Sequence, residues 1–207
     1  MKSIFIAGTD TGVGKTVITG LLARCLIERG YSVVTQKWVQ TGSSQDIDIH
    51  LKMMDRRRRD YARHLNSMVP YSFKVASSPH LAAKMEGKRL SIDRINRSFE
   101  ALRRDFDFVL VEGTGGLSVP LNKKMLLIDL VKRLRIPVLL VSENRLGTIN
   151  HTVLSIEALK SRGIKILGII FNTLSNNIDN RILRDNPEIV RALTGINILG
   201  ILPYLKI

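Results

Sequence analysis

The sequence predicts an α/β fold: a doubly wound, mostly parallel sheet with helices on both faces. Three observations carry this. Short apolar runs alternate with longer stretches of helical period. The short runs are almost wholly apolar, as strands buried on both faces are. The chain also has the size and balance of one globular unit, with 207 residues, 44% apolar and 24% charged. It has no Pro/Gly/Ser-rich linker, internal repeat or low-complexity tract, so a single domain over residues 1–207 is expected.

The strand runs are residues 3–7, 31–35, 106–111, 137–142, 164–171 and 196–202. The helical stretches between them are 15–29, 92–104, 126–135, 149–162 and 179–194. Strand and helix alternating in this way build parallel sheets through crossover connections. Residues 41–90 break the alternation. They carry little strand pattern, and Ser77-Ser78-Pro79 interrupts them. This segment reads as a helical excursion over the strand ends, where such sheets bind ligands. Ser77 or Ser78 before Pro79 also suits a helix N-cap.

Composition excludes several classes. One cysteine, Cys25, rules out a disulfide scaffold, and its place in the first helical stretch suggests a small core residue. No apolar stretch reaches the roughly 18 residues of a membrane span, and the apolar N-terminal run is too short for a signal peptide. A soluble, cytoplasmic protein without membrane contact is expected. Lys plus Arg number 32 against 18 acids, a net charge of +14. The densest run, Arg56-Arg57-Arg58-Arg59, lacks interleaved aromatics and reads as a solvated helix face, not a specific nucleic-acid site.

The first strand runs into Gly8-Thr9-Asp10-Thr11-Gly12-Val13-Gly14-Lys15-Thr16, followed by a helix. Glycines let backbone amides wrap an anion without Cβ clashes, and the helix N-terminus adds its positive end. Lys15 is placed to reach β- and γ-phosphates, and the Thr16 hydroxyl to ligate Mg²⁺. Thr9 stands at the usual first glycine of this phosphate loop, so the match is relaxed. The sheet is therefore expected to be of the P-loop NTPase type. Residues 107–112 form a buried-type strand ending in Glu112, where such sheets carry a metal-associated carboxylate. Asp107, at the strand's other end, reads as a solvated strand-start residue. Gly113-Thr114-Gly115-Gly116 follows as a second glycine loop. Lys37, at the end of the second strand, could neutralise charge on a transferred phosphoryl group.

Further segments are Gln36-Lys37-Trp38-Val39-Gln40-Thr41-Gly42, Asp46-Ile47-Asp48, Ser77-Ser78-Pro79-His80, Leu146-Gly147-Thr148-Ile149-Asn150-His151 and Phe171-Asn172-Thr173. With the phosphate loop and Val111-Glu112-Gly113-Thr114-Gly115-Gly116, they resemble dethiobiotin synthetase, in order and over essentially the whole chain. The resemblance implies an ATP-dependent ligase. In that family, 7,8-diaminononanoate takes up CO₂ as a carbamate, ATP phosphorylates it, and the second amine closes the ureido ring of dethiobiotin. It also implies Mg²⁺ and a homodimer with shared active sites.

Residue by residue, the resemblance implies that Lys15 and Lys37 are catalytic. It implies nucleotide contacts from Gly12, Val13, Gly14, Lys15, Thr16, Val17, Asp48, Glu112, Gly113, Thr114 and Gly115. It places Asn172 and Thr173 at the base, and the backbone of Pro203, Tyr204 and Leu205 in a second nucleotide loop. Mg²⁺ is assigned to Thr16, Asp48 and Glu112, with Asp48 preferred to Asp46. Thr41 contacts the diamine or its carbamate, while Gly147, Thr148, Ile149 and Asn150 receive its carboxylate across the dimer. His151 reads as a packing or interface residue. Trp38 replaces a usual proline and Thr114 a usual alanine, so a different bend is expected after Lys37. The chain ends at Ile207, short of a helix that commonly covers the nucleotide, so a less covered nucleotide is expected.

The main alternative is a partitioning or Min-type regulatory ATPase. Those proteins carry a lysine five residues before the phosphate-loop lysine, and here that position is Asp10. A small-molecule kinase finds no Arg-rich lid, and the amidotransferase relatives need a further domain.

Overall fold

The computed structural model describes residues 2–42 and 45–205; Ile207 lies outside them. Six parallel strands form the central sheet: β1 (Lys2–Gly8), β2 (Val33–Lys37), β5 (Phe108–Gly116), β8 (Val138–Glu143), β9 (Ile166–Asn172) and β10 (Ile198–Leu202). Their order is β10-β9-β8-β1-β5-β2. The chain first builds to one side of β1 and then crosses to the other. That reversal opens a crevice at the carboxyl end of β1.

The helices α1 (Lys15–Ile27), α2 (Asp46–Met53), α3 (Leu65–Met68), α4 (Pro79–Met85), α5 (Ile92–Asp105), α6 (Leu127–Arg133), α7 (Thr148–Lys160) and α8 (Asn180–Thr194) flank the sheet. Side chains alternate across a strand, so Phe5 and Ile6 serve different clusters. Ile6 packs with Val13, Ile18, Leu139 and Val141. Phe5 joins the larger core with Trp38, Phe99, Val111 and Leu127.

Two small ribbons are not foreshadowed by the apolar pattern. Strands β3 (Val39–Thr41) and β4 (Tyr71–Phe73) pair in parallel, so the excursion over the strand ends is not purely helical. Strands β6 (Pro120–Asn122) and β7 (Met125–Leu126) form an antiparallel hairpin closed by Lys124 N–H donating to Asn122 Oδ1 at 2.8 Å. Segments of two or three residues are too short to display a period.

Other local expectations meet the structure unevenly. Asp107 does sit at a strand start, accepting from both the Ser32 amide and hydroxyl. Ser78 does precede α4 with Pro79 in its first turn, though its hydroxyl meets His80 Nδ1 and caps no amide. Cys25 is not a core residue: it is half-buried, and its sulfur meets the Arg29 guanidinium at the helix surface. The arginine run is exposed as expected, but it forms a loop and a 3₁₀ turn (Arg58–Tyr61), not a helix face.

Trp38 is 1% exposed between β2 and β3. Its ring lies 5.1 Å from Phe5 and 6.4 Å from Phe99, and its Nε1–H donates to Gln36 Oε1 at 3.0 Å. The residue after Lys37 is thus a core anchor holding the strand end that presents Lys37. Trp38→Ala should cost about 3–5 kcal/mol of unfolding free energy; a urea midpoint matching the parent's would refute this anchoring role.

Candidate active site

The phosphate loop is built by close approaches. Gly14 has φ 91° and precedes α1 in the left-handed region. A Cβ there would lie 2.0 Å from Asn172 Nδ2. Gly8 is also constrained, because a Cβ would meet the backbone oxygen of Asp10 at 2.8 Å and Lys15 Nζ at 2.7 Å. The loop thus leaves room for Lys15 to fold back, and its Nζ donates to Asp10 O at 2.8 Å. Burial, then the charge of Lys37, lowers the Lys15 pKa to about 8.

Sheet register assembles the rest. Lys37 on β2 lies directly opposite Glu112 on β5, and Ile6 on β1 lies on Glu112's other side. Lys37 Nζ donates to Glu112 Oε1 at 2.6 Å and Gly113 O at 3.2 Å, and pairs with Asp46 Oδ2 at 2.9 Å. Burial disfavours its charge, but Glu112 and Asp46 outweigh it and hold the pKa above the ordinary lysine value. Glu112 is 1% exposed. Desolvation pushes its carboxyl up, yet the Lys37 charge and the His50 bond bring it down to about 2. The Thr16 hydroxyl donates to the same Oε1 at 3.0 Å.

These groups share a cleft of about 390 Å³ that includes Gly14, Lys15, Thr16, Lys37, Thr41, Asp46 and Glu112 in its wall. It combines two ammonium groups with hydroxyl and carboxylate oxygens beside a loop suited to anions. Such a site can hold a polyphosphate and a hard cation together.

A family model for an AAA domain matches residues 2–207. An "ATP-dependent dethiobiotin synthetase BioD" from Chlorobaculum tepidum is 44% identical over 90% of this chain and 79% of its own length. A protein of the same name from Thermodesulfovibrio yellowstonii is 39% identical over 97% and 88%. One from Halalkalibacterium halodurans is 42% identical over 99% and 85%. The chain belongs to the dethiobiotin synthetase family. Solved structures show the shared scaffold. The MinC:MinD cell division complex of Aquifex aeolicus aligns with TM-score 0.61 at 16% identity, covering 100% of this chain and 83% of that one. A ParA family ATPase from Chlorobium tepidum aligns with TM-score 0.60 at 14% identity, covering 99% and 85%. At such identities the likeness is one of fold, that of P-loop NTPases.

The structure separates the two acids of α2 in this dethiobiotin synthetase family member. Residues two apart on a helix lie about 200° apart. Asp46 faces the cleft, whereas Asp48 pairs with Arg58 through two bonds of 2.6 and 2.9 Å at the surface. The expectation that Asp48 faces the cleft is therefore not met; Asp46 takes that place in its wall. The first helical residue is the one that points inward, which spacing alone does not reveal.

Of the remaining expected residues, Gly12, Val17, Thr114 and Gly115 line the cleft. Gly12 and Val17 belong to the phosphate loop and the first turn of α1; Val13 is buried beneath it. Asn172 is buried, and its Nδ2 donates to Val13 O at 3.0 Å. The carboxamide is thus tied to the phosphate loop, while the Thr173 amide bonds Leu202 O at 2.9 Å. Pro203, Tyr204 and Leu205 follow that strand end and are exposed. Gly113 is buried behind the cleft, while Thr114 and Gly115 line it. The Thr114 hydroxyl donates to Val39 O, tying β5 to β3.

The α7 start divides. Gly147 caps it with φ 88°, and Asn150 is exposed, with Ile149 half-buried. Thr148 instead turns inward: its amide bonds Arg145 O at 3.2 Å and its hydroxyl lies 2.6 Å from Ser142 Oγ. The sequence reading missed His50, which is wholly buried on α2 with Nε2 2.6 Å from Glu112 Oε2. Its place four residues after Asp46 was the available signal.

The lowered Lys15 pKa has a thermodynamic consequence. A polyphosphate favours the charged ammonium, so binding above about pH 8 must take up a proton. Nucleotide affinity should be fully expressed below that pH and decline above it. Calorimetry at about pH 9, in buffers of different ionisation enthalpy, should show net proton uptake that Lys15→Ala abolishes; equal heats in all buffers would contradict it.

Proposed function

We propose that the protein is an ATP- and Mg²⁺-dependent dethiobiotin synthase, joining CO₂ to 7,8-diaminononanoate and closing the ureido ring. The observation that carries this reading is the convergence of Lys15 and Lys37 on one cleft whose wall also includes Thr16, Asp46 and Glu112. Phosphoryl transfer to a carbamate brings two anions together, so fixed cations must face both. No protein nucleophile is required.

The oxygen donors suit Mg²⁺, which takes few protein ligands and shares phosphate oxygens and water. Thr16 and Asp46 would hold it, with Glu112 as ligand or as the acceptor that orients Thr16. When bound, it would neutralise charge on the phosphates. Lys15 lies where β- and γ-phosphates pass the loop. Lys37 keeps its proton and sits at the site of the carbamate, stabilising developing charge. Thr41, in the same cleft wall, orients the carbamate end. The base is assigned to Asn172, Thr173 and the backbone of residues 203–205.

The homodimer belongs to the same reading. Leu146 and Leu154 are 78% and 55% exposed. Leu154 lines a cleft of about 420 Å³ with Asp10, Leu117 and His151. A second copy seated there brings its α7 start to this cleft. The first turn of a helix offers amides lacking intrahelical acceptors. Gly147, Ile149 and Asn150 receive the diamine's carboxylate in this way, while Thr148 braces them from within. Among the described residues, no helix is long and apolar enough to cross a membrane; a cytoplasmic site of action without a specific nucleic-acid partner completes the proposal.

The direct test is formation of dethiobiotin from the diamine, bicarbonate and Mg-ATP, detected by mass; ATP hydrolysis without that product would overturn the proposal. Lys37→Ala should lower kcat by roughly 10²–10³-fold, as for loss of one preorganised charge donor. Asn150→Asp keeps an acid-compatible helix start but repels the substrate carboxylate, so KM for the diamine should rise more than KM for ATP. Mixing Lys37→Ala and Asn150→Asp subunits should give more activity than either alone. Demonstrated subunit exchange without such a gain would refute a shared site.

A further inference from the structure

We infer that His50 is a positioning residue for Glu112: it fixes the carboxylate so that Oε1 stays with Thr16 and Lys37 at the metal pole. The inference rests on the metal site proposed above and adds a residue to it.

Glu112 Oε1 accepts from Thr16 and Lys37, and Oε2 faces His50 Nε2 at 2.6 Å. At 2.6 Å a carboxylate oxygen facing a ring nitrogen is the acceptor and Nε2–H the donor. Among the described residues, His50 Nδ1 is buried with no hydrogen-bond partner. Among the described residues, the ring's hydrogen bond is thus committed to Glu112.

The backbone explains why the ring arrives there. Asp46 and His50 lie four apart and share one face of α2. That face delivers Asp46 to Lys37 and His50 to Glu112, while Lys37 joins the two acids. Close docking of α2 on α1 is possible because Gly20 has no side chain. A Cβ there would lie 2.5 Å from Met53 Cβ and 3.2 Å from His50 Cα. Thr16 and Gly20 are themselves four apart on α1, so one helix face supplies the Thr16 hydroxyl and admits the helix carrying His50.

Without His50, Oε2 would be a buried anion oxygen facing no donor. Lys37 already donates to the same carboxylate and is shared with Asp46 and Gly113. A rotated carboxylate that draws Lys37 onto both oxygens would withdraw Oε1 from Thr16. Loss of such supporting bonds typically weakens metal affinity 10–100-fold.

The test compares His50→Leu, which removes the donor, with His50→Gln, whose Nε2 stands the same number of bonds from Cα. Calorimetric ADP binding is titrated with Mg²⁺, beside kcat and thermal unfolding. His50→Leu should need at least roughly tenfold more Mg²⁺, while ADP binding in EDTA matches the parent. His50→Gln should restore most of the Mg²⁺ response. A folded His50→Leu with the parent's Mg²⁺ midpoint, or a His50→Gln equally impaired, would overturn the inference. If His50→Leu does not fold, His50→Met takes its place; if both fail to fold while His50→Gln does, His50 only holds the fold and the inference falls. Glu112→Gln separates the readings. If it leaves the Mg²⁺ response unchanged, the metal site itself is wrong; if it shifts the response and His50→Leu does not, only His50's role is wrong.

Discussion

A carboxylate buried at the end of a central strand imposes its needs on everything around it. Glu112 is 1% exposed, and an ion there is tolerable only if its oxygens are met by donors. Parallel register supplies Lys37 from β2, the start of α1 supplies Thr16, and α2 supplies His50. Each donor comes from a different segment. The ionised state of one residue therefore ties together the phosphate loop, the strand beside it and the excursion over the strand ends.

The cleft is also close to balanced in charge. Lys15 and Lys37 contribute two positive charges, and Asp46 and Glu112 two negative ones. The two lysines are not equivalent. Lys37 faces both acids, whereas Lys15 donates to the carbonyl of Asp10. Burial leaves Lys15 with the less stable charge, which an incoming phosphate relieves. Lys37 is the fixed pole and Lys15 the responsive one. The distinction follows from partners, since both are nearly equally hidden from solvent.

The parallel sheet was legible because buried strands announce themselves as apolar runs, and the phosphate loop because its glycines meet real steric demands at Gly8 and Gly14. Glu112 and Lys37 were legible as strand-end charges. Their direct pairing was not, since register belongs to the assembled sheet. The choice between Asp46 and Asp48 turned on helix phase, which an eight-residue helix with acids two apart does not declare. His50 was hidden for another reason: its role exists only because Gly20 lets two helices touch. Trp38 looked like a departure in a substrate loop, whereas it is core packing that holds the strand end from behind.

Solved MinD and ParA structures share this scaffold, and a shared scaffold does not fix the reaction. Chemistry is then decided by what lines the crevice. Five residues before Lys15 stands Asp10, whose carboxylate accepts from the Thr11 amide and whose carbonyl accepts from Lys15. The second cation comes instead from Lys37, across the sheet and rooted beside Glu112. Lys37 is held at its strand end by Asp46 and Glu112 and not by the phosphate loop, which suits the proposed role of a fixed cation facing a second anion beside the phosphoryl group.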